Sequence, residues 1–164
     1  MLGARGDARG LRARSVTVGY GKDAPILEDL SLDVLEGQLT VIVGPNACGK
    51  STLLRSLARV LGVRSGVVEL DGQALTTMNQ KELARRLGLL AQSSTAPADI
   101  LVEDLVARGR YPHQSLLRQW SAEDDEAVAW AMRQAGVEAL ARRRVGELSG
   151  GQRQRVWIAM VLAQ

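Results

Sequence analysis

The sequence predicts an α/β fold in which an antiparallel β subdomain and an inserted α-helical subdomain accompany a core of buried strands. Two segments of alternating polarity precede a short, largely apolar run at residues 39–43, which indicates half-buried antiparallel strands leading into a buried one. A glycine-rich loop follows that run and opens a segment with helical spacing. From residue 93 onward nearly every periodic segment is helical. These three observations together favour the mixed fold.

The composition is typical of a soluble globular protein. The chain has 164 residues, of which 46% are hydrophobic and 24% charged, enough for one ordinary domain with a core. No apolar run approaches the roughly 20 residues of a membrane span. Residues 1–14 lack the apolar region of a secretory signal, so we interpret them as a flexible N-terminal tail and residues 15–164 as the domain. The single cysteine excludes an internal disulfide and fits a reducing cytosol.

The net charge of +3 does not predict a nucleic-acid interface. Eighteen arginines are scattered along the chain, and only five aromatic residues are available to stack on bases. We therefore expect no nucleic-acid partner.

The first half of the chain contains the predicted strands. Residues 15–20 and 30–34 alternate in polarity, and residues 67–72 end in an Asp-Gly turn. Residues 79–86 have the spacing of a short helix, and the apolar run at residues 87–91 predicts a second buried strand.

The second half predicts a helical subdomain, at about residues 93–148. A short amphipathic helix is expected from Val102, and a longer one after Ser121, whose capping box uses Asp124 in place of the usual Glu or Gln. Gly136 would end that helix. Its apolar face would comprise Ala127, Val128, Ala131, Met132 and Ala135.

A phosphate-binding loop connects the run at residues 39–43 to the helix after it. The pattern G-x-x-x-x-G-K-[ST] is met at every fixed position by Gly44, Pro45, Asn46, Ala47, Cys48, Gly49, Lys50 and Ser51, which Thr52 follows. The glycines allow successive N–H groups to turn inward around phosphates, and the helix directs its positive end at the same anion. Lys50 would contact the β- and γ-phosphates, and the Ser51 hydroxyl would bind Mg²⁺. The sequence therefore predicts a nucleoside triphosphate site in a P-loop NTPase core.

A second anion-binding corner is predicted about a hundred residues later. It consists of Leu148, Ser149, Gly150, Gly151 and Gln152, directly before a strongly apolar helix. Ser149 is a natural N-cap, and the two glycines would expose N–H groups at the positive end of that helix.

From about Ser15 to Gln164 the chain resembles the ATP-binding subunit of an ABC transporter. In that family the first loop is Walker A, and Leu148 to Gln152 match the LSGGQ signature at every position. Tyr20 falls where an aromatic residue stacks on adenine, and Gln92 falls at the Q-loop glutamine that contacts Mg²⁺ and the transporter.

This resemblance implies an ATPase that binds ATP and Mg²⁺, with Lys50 and Gln92 among its catalytic residues. Two such subunits face head to tail, and the signature of one contacts the ATP of the other. Permease subunits in the membrane would be direct partners and a substrate-binding protein an indirect one. The subunit would be peripheral, on the cytoplasmic face of the cell membrane.

A narrower resemblance concerns the substrate. Residues 44–50 together with residues 107–113 are similar to the ATPases of iron(III)–siderophore importers, and relatives for haem or cobalamin share much of this pattern. A soluble ABC-type ATPase acting on DNA or ribosomes is one alternative, although no sustained heptad pattern suggests a coiled coil. A phosphate-loop kinase or GTPase is another, but it would not need residues 148–152.

The chain departs from the family in its hydrolytic residues. It contains no aliphatic strand ending in Asp-Glu, which is Walker B, and no switch histidine. The segment Val67–Asp71 does not qualify because Glu69 interrupts it, and we interpret His113 as an exposed polar residue. We therefore expect an incomplete ABC ATPase domain, a fragment that binds ATP without hydrolysing it.

Overall fold

The structure is a computed structural model that describes residues 9–92, 94–115 and 120–164. Residues 1–8 of the predicted tail lie outside the described residues, as do residues 93 and 116–119 of the predicted helical subdomain. Two compact units divide the chain between Asn79 and Gln80.

The first unit contains a four-stranded antiparallel sheet, as predicted. Its strands are β1 (Gly10–Val18), β2 (Leu27–Leu35), β3 (Ser65–Leu70) and β4 (Gln73–Ala74), in the order β2-β1-β3-β4. Ala13 in β1 lies opposite Leu32 in β2 and Val68 in β3.

Two predicted features of this sheet can be compared with the structure. The Asp-Gly turn between β3 and β4 is confirmed, because Asp71 and Gly72 both have positive φ angles, 50° and 80°. The predicted boundary of the tail at residue 14 is wrong for the described part. Residues 10–14 belong to β1, since their backbone pairs with β2 and β3.

One helix packs on the sheet and carries the loop residues. Helix α1 (Lys50–Leu57) contacts β1 through a buried face formed by Thr52, Leu53, Ser56 and Leu57. Burial of this face against β1 fixes the helix, and therefore the loop before it, on the sheet.

The second unit is helical in its described part. It contains α2 (Gln80–Arg86), α3 (Val102–Ala107), α4 (Ala122–Gln134) and α5 (Gly150–Leu162). Short 3₁₀ turns lie at Arg108–His113, Glu138–Leu140 and Val145–Glu147, and another lies in the first unit at Leu75–Thr77. None of the described helices combines the length and the apolar character that a membrane crossing requires.

Helix α4 follows the prediction closely. Ala131 and Met132 are buried, and Val128 and Ala135 pack against the same core. The Ser121 N–H donates to Asp124 Oδ2 over 3.0 Å, which confirms the capping box. Gly136 follows the last turn with a φ of 63°, as expected of a helix end.

The ends of the segment between Val102 and Arg144 meet in space. Leu101 and Arg144 form an isolated antiparallel bridge, and the Val145 N–H donates to the Ile100 carbonyl over 2.9 Å. The chain therefore enters and leaves this segment at one place.

Two predicted buried strands are not strands in the structure. Residues 39–43 and 87–91 have no strand assignment, and Leu39, Val41 and Val43 are 91%, 68% and 84% exposed. An apolar run becomes a buried strand only when a neighbouring backbone pairs with it and a second layer covers it. None of the described residues forms a strand beside either segment.

Candidate functional site

The predicted phosphate loop folds around the Lys50 ammonium. Lys50 Nζ donates to the Gly44 carbonyl over 2.8 Å and to the Pro45 carbonyl over 2.5 Å, and it lies 3.6 Å from Cys48 Sγ. Lys50 is also the first residue of α1, so its charge adds to the positive end of that helix. The loop therefore concentrates positive potential at one point.

Two glycines are required by the loop itself. Gly49 has a φ of 96°, and a Cβ there would lie 2.9 Å from Leu27 Cδ2. Gly44 has a φ of 158°, and a Cβ there would lie 2.9 Å from Cys48 Sγ. A side chain at either position would be strained by this backbone conformation and would displace the neighbouring side chain.

The backbone of the loop fits a phosphate ligand. Across the described residues, no N–H of residues 46–49 donates to a backbone carbonyl. The first turn of α1 contains no acidic residue that would neutralise its N-terminus. By contrast, α4 has three acidic residues in its first turn. Unpaired N–H groups, an ammonium and a bare helix N-terminus are the groups that bind phosphate oxygens.

Tyr20 lies against the helix that follows this loop. Its hydroxyl accepts a hydrogen bond from Arg55 Nη1 over 3.1 Å, and it is hydrogen-bonded to the Thr52 side chain. The Thr52 hydroxyl, and then the Arg55 guanidinium, hold the pKa of Tyr20 below its usual value. The side chain is 42% exposed. Tyr20 is therefore anchored at its hydroxyl and open to solvent over part of its ring.

Gln92 and the start of α5 share a cleft in the second unit. The cleft has a volume of about 440 Å³, and its walls include Gln92, Gly150, Arg153 and Trp157. The Trp157 indole N–H is buried without an acceptor among the described residues. The structure thus brings the predicted Q-loop residue next to the predicted signature.

The signature residues form the N-terminus of α5. The Ser149 N–H donates to Gln152 Oε1 over 3.0 Å, and the Gln152 N–H donates to Ser149 Oγ over 3.3 Å, which confirms Ser149 as the N-cap. Leu148 is buried in the core of this unit. A Cβ built on Gly150 or Gly151 would meet nothing within 4 Å, so no packing within the described chain requires glycine there.

Two further expectations can be compared with the structure. We expected His113 to be exposed, but it is half-buried. Its Nε2 lies 2.5 Å from the carbonyl of Gln164, which follows α5. Val67 to Leu70 belong to the antiparallel strand β3, which agrees with their rejection as Walker B.

Sequence reasoning missed the residues that position Tyr20. Arg55 and Arg64 both contact Tyr20, from 35 and 44 residues away in sequence. Neither belongs to a motif, and one arginine among eighteen carries no signal of its own. Arg55 lies on α1, and Tyr20 follows β1. Their contact can be inferred only once α1 is known to pack on β1.

The chain matches the family described as ABC transporter over residues 27–164. Among curated proteins, the ferric enterobactin transport ATP-binding protein FepC of Escherichia coli (strain K12) is 54% identical over 154 residues, which cover 94% of this chain and 56% of FepC. The hemin import ATP-binding protein HmuV of Bordetella bronchiseptica (strain ATCC BAA-588 / NCTC 13252 / RB50) is 46% identical over 154 residues, 94% of this chain and 57% of HmuV. The chain thus spans about half the length of the curated relatives it matches.

Solved structures give the same result for the fold. A nucleotide-free ATP-binding cassette from an ABC transporter superposes with a TM-score of 0.78 at 27% identity, covering 94% of this chain and 65% of that one. A bacterial Atm1-family ABC exporter with ATP bound superposes with a TM-score of 0.77 at 30% identity, covering 96% of this chain and 28% of that one. The α/β fold class predicted from the sequence, a P-loop NTPase with an antiparallel subdomain and a helical one, is confirmed. The chain belongs to the ABC transporter family.

Proposed function

We propose that this chain is the ATP-binding part of an importer ATPase, with ATP held by the loop from Gly44 to Thr52. The observation that carries the proposal is the loop itself, which combines the Lys50 ammonium with N–H groups of residues 46–49 that donate to no backbone carbonyl among the described residues. A triphosphate supplies acceptors for these N–H groups and an anion for the ammonium.

Lys50, Ser51 and Gln92 have distinct roles in this proposal. Lys50 would contact the β- and γ-phosphates. The Ser51 hydroxyl is the candidate Mg²⁺ ligand of the first unit, and the Gln92 amide oxygen is the candidate ligand of the second. Both are oxygen ligands, the class that Mg²⁺ prefers, and both side chains are exposed. Bound with ATP, Mg²⁺ neutralises charge on the phosphates.

Tyr20 holds the adenine. Its hydroxyl is fixed by Arg55, while part of its ring is open to solvent, so a base can stack on it without moving the side chain. Stacking of a base on an aromatic ring is worth about 1–3 kcal/mol.

The signature residues act on the ATP of a second copy. Ser149 and Gln152 are occupied with capping α5, but Gly150 and Gly151 face open space. Glycine loses more backbone freedom on folding than any other residue, so two glycines in the first turn of α5 do not serve its stability. Close approach of a phosphate of the second copy's ATP would explain why these two positions carry no side chain.

The names of the relatives support a proposal for the substrate class. FepC is named for the transport of ferric enterobactin, an iron(III)–siderophore. We take an iron(III)–siderophore as the substrate, permease subunits as partners and the cytoplasmic face of the membrane as the location. Haem is the second candidate, because HmuV is named for hemin.

Uptake by cells tests this function. A strain whose intact gene carries Lys50→Ala should lose uptake of a ferric siderophore, because the triphosphate loses its ammonium contact. Uptake of haem should be unchanged, and loss of haem uptake alone would favour the second candidate. Normal uptake of both would refute the importer proposal.

The 164-residue chain itself should release phosphate from ATP only at the background rate, since it lacks the Asp-Glu pair that the family uses for hydrolysis.

A further inference from the structure

The turn that carries Tyr20 is held by one arginine side chain, that of Arg64, which directly precedes β3 and lies 44 residues after Tyr20 in the sequence. Arg64 Nη1 donates to the Asp23 carbonyl over 2.7 Å. Arg64 Nη2 donates to the Tyr20 carbonyl over 3.1 Å and to the Gly21 carbonyl over 3.2 Å. One planar guanidinium therefore holds three carbonyls of one turn, which a lysine ammonium cannot do in the same fork geometry.

The backbone around Arg64 supports the same contact. The Arg64 N–H donates to the Thr17 carbonyl over 2.8 Å at the end of β1, so the start of β3 is tied to the strand that leads into the turn. The side chain and the main chain of this residue thus reach the two sides of Tyr20 in sequence.

Gly19 makes room for the guanidinium. A Cβ at this position would lie 2.7 Å from Arg64 Nη2 and 2.9 Å from Arg64 Cζ, with Pro25 Cα at 3.1 Å. The need for glycine here comes from this close approach and not from a positive φ. The position of the Arg64 guanidinium therefore favours glycine at the residue before Tyr20.

Tyr20 is then held at its main chain and at its hydroxyl. Arg64 fixes its main chain, and Arg55 and Thr52 fix its hydroxyl. All the hydrogen bonds that Arg64 makes in the described chain go to residues 17–23 and none to the loop at residues 44–52.

We propose that Arg64 is a positioning residue for nucleotide recognition, which acts through Tyr20 on the base and leaves the phosphates untouched. This inference rests on the proposed function, in which Tyr20 stacks on adenine. When the turn loosens, the ring must be ordered at the moment of binding, and the cost falls on ligands that carry a base.

Calorimetric titration of the whole chain with two probes tests the inference. ATP carries a base, and inorganic tripolyphosphate carries only the phosphates. Arg64→Ala should weaken ATP binding by about fivefold to tenfold, a part of the value of one stacked base, with tripolyphosphate affinity unchanged within about twofold. Arg64→Lys keeps the charge but not the fork geometry, so its ATP affinity should lie between those of wild type and Arg64→Ala. Retained tripolyphosphate binding shows that each variant is folded.

Two controls separate charge from geometry. Lys22→Ala removes one positive charge from the same turn, at an exposed side chain, and should leave both affinities unchanged. Gly19→Ala should reproduce the selective loss of ATP affinity by displacing the guanidinium. In the Arg64→Ala background it should add little, because the two changes remove the same contact.

The outcomes distinguish the two proposals. Equal losses for ATP and tripolyphosphate in Arg64→Ala, or no loss for either, would overturn the role of Arg64. Lys50→Ala should lose binding of both ATP and tripolyphosphate. If the wild-type chain binds neither, the proposed function is refuted and the role of Arg64 with it.

Discussion

At the scale of the residue, Cys48 reports directly on the phosphate loop. It is the single cysteine of the chain, it is exposed, and its Sγ lies 3.6 Å from the Lys50 ammonium. A triphosphate bound in the loop would cover this thiol. At an ATP concentration of 100 times Kd, alkylation of Cys48 should slow by about 100-fold, because only the nucleotide-free fraction reacts. Mass spectrometry of the iodoacetamide adduct over time measures the rate.

The matched control for Cys48 is Lys50→Ala. This variant keeps the thiol but loses the ammonium, so ATP should no longer protect it. Identical alkylation rates with and without ATP in the wild-type chain would place the nucleotide elsewhere.

At the scale of the element, one buried ion pair connects α4 to the end of α5. Arg110 Nε donates to Asp124 Oδ1 over 2.8 Å, and Arg110 Nη1 donates to the Ala163 carbonyl over 2.9 Å. The Asp124 side chain is 2% exposed and the Arg110 side chain 12%. Asp124→Asn leaves the guanidinium buried without its counter-charge and should cost about 3 kcal/mol of unfolding free energy at pH 7. Urea unfolding followed by tryptophan fluorescence measures it, since all three tryptophans lie in the second unit.

The pH dependence of this pair follows from the carboxyl group. Burial alone would raise the pKa of Asp124, but hydrogen bonds from Arg110 and Ser121 outweigh burial and hold the pKa below its usual value. A depressed folded-state pKa stabilises the fold above the unfolded value of about 3.9, and the contribution is lost as pH falls through the folded value. The difference between wild type and Asp124→Asn should therefore shrink below about pH 4. Glu126→Gln, an exposed neighbour on α4, should change the unfolding free energy by less than about 0.5 kcal/mol at any pH. A constant difference down to pH 2 would contradict the assignment.

At the scale of the whole molecule, local chemistry was predictable from the sequence and pairing was not. The Asp-Gly turn, the caps at Ser121 and Ser149 and the phosphate loop depend on residues that are neighbours in the chain, so their patterns identify them. Arg64 could not be found, because its partners become neighbours only when β1 and β3 pair. The run at residues 39–43 misled for the opposite reason. It has the composition of a buried strand, but burial depends on a partner strand that its own residues do not specify.

That exposed run predicts how the 164-residue chain behaves in solution. Leu39, Val41 and Val43 present apolar side chains on a backbone that no described strand pairs with, which is the arrangement that promotes association between copies. Sedimentation velocity should show species larger than the monomer, whose fraction rises with protein concentration. Val43→Lys should shift the chain toward monomer, because a charge in the run opposes edge pairing. Val60→Lys changes an isolated valine, 67% exposed, and should leave the distribution as in wild type. A wild-type chain that stays monomeric at all concentrations would mean that residues 39–43 are covered in solution.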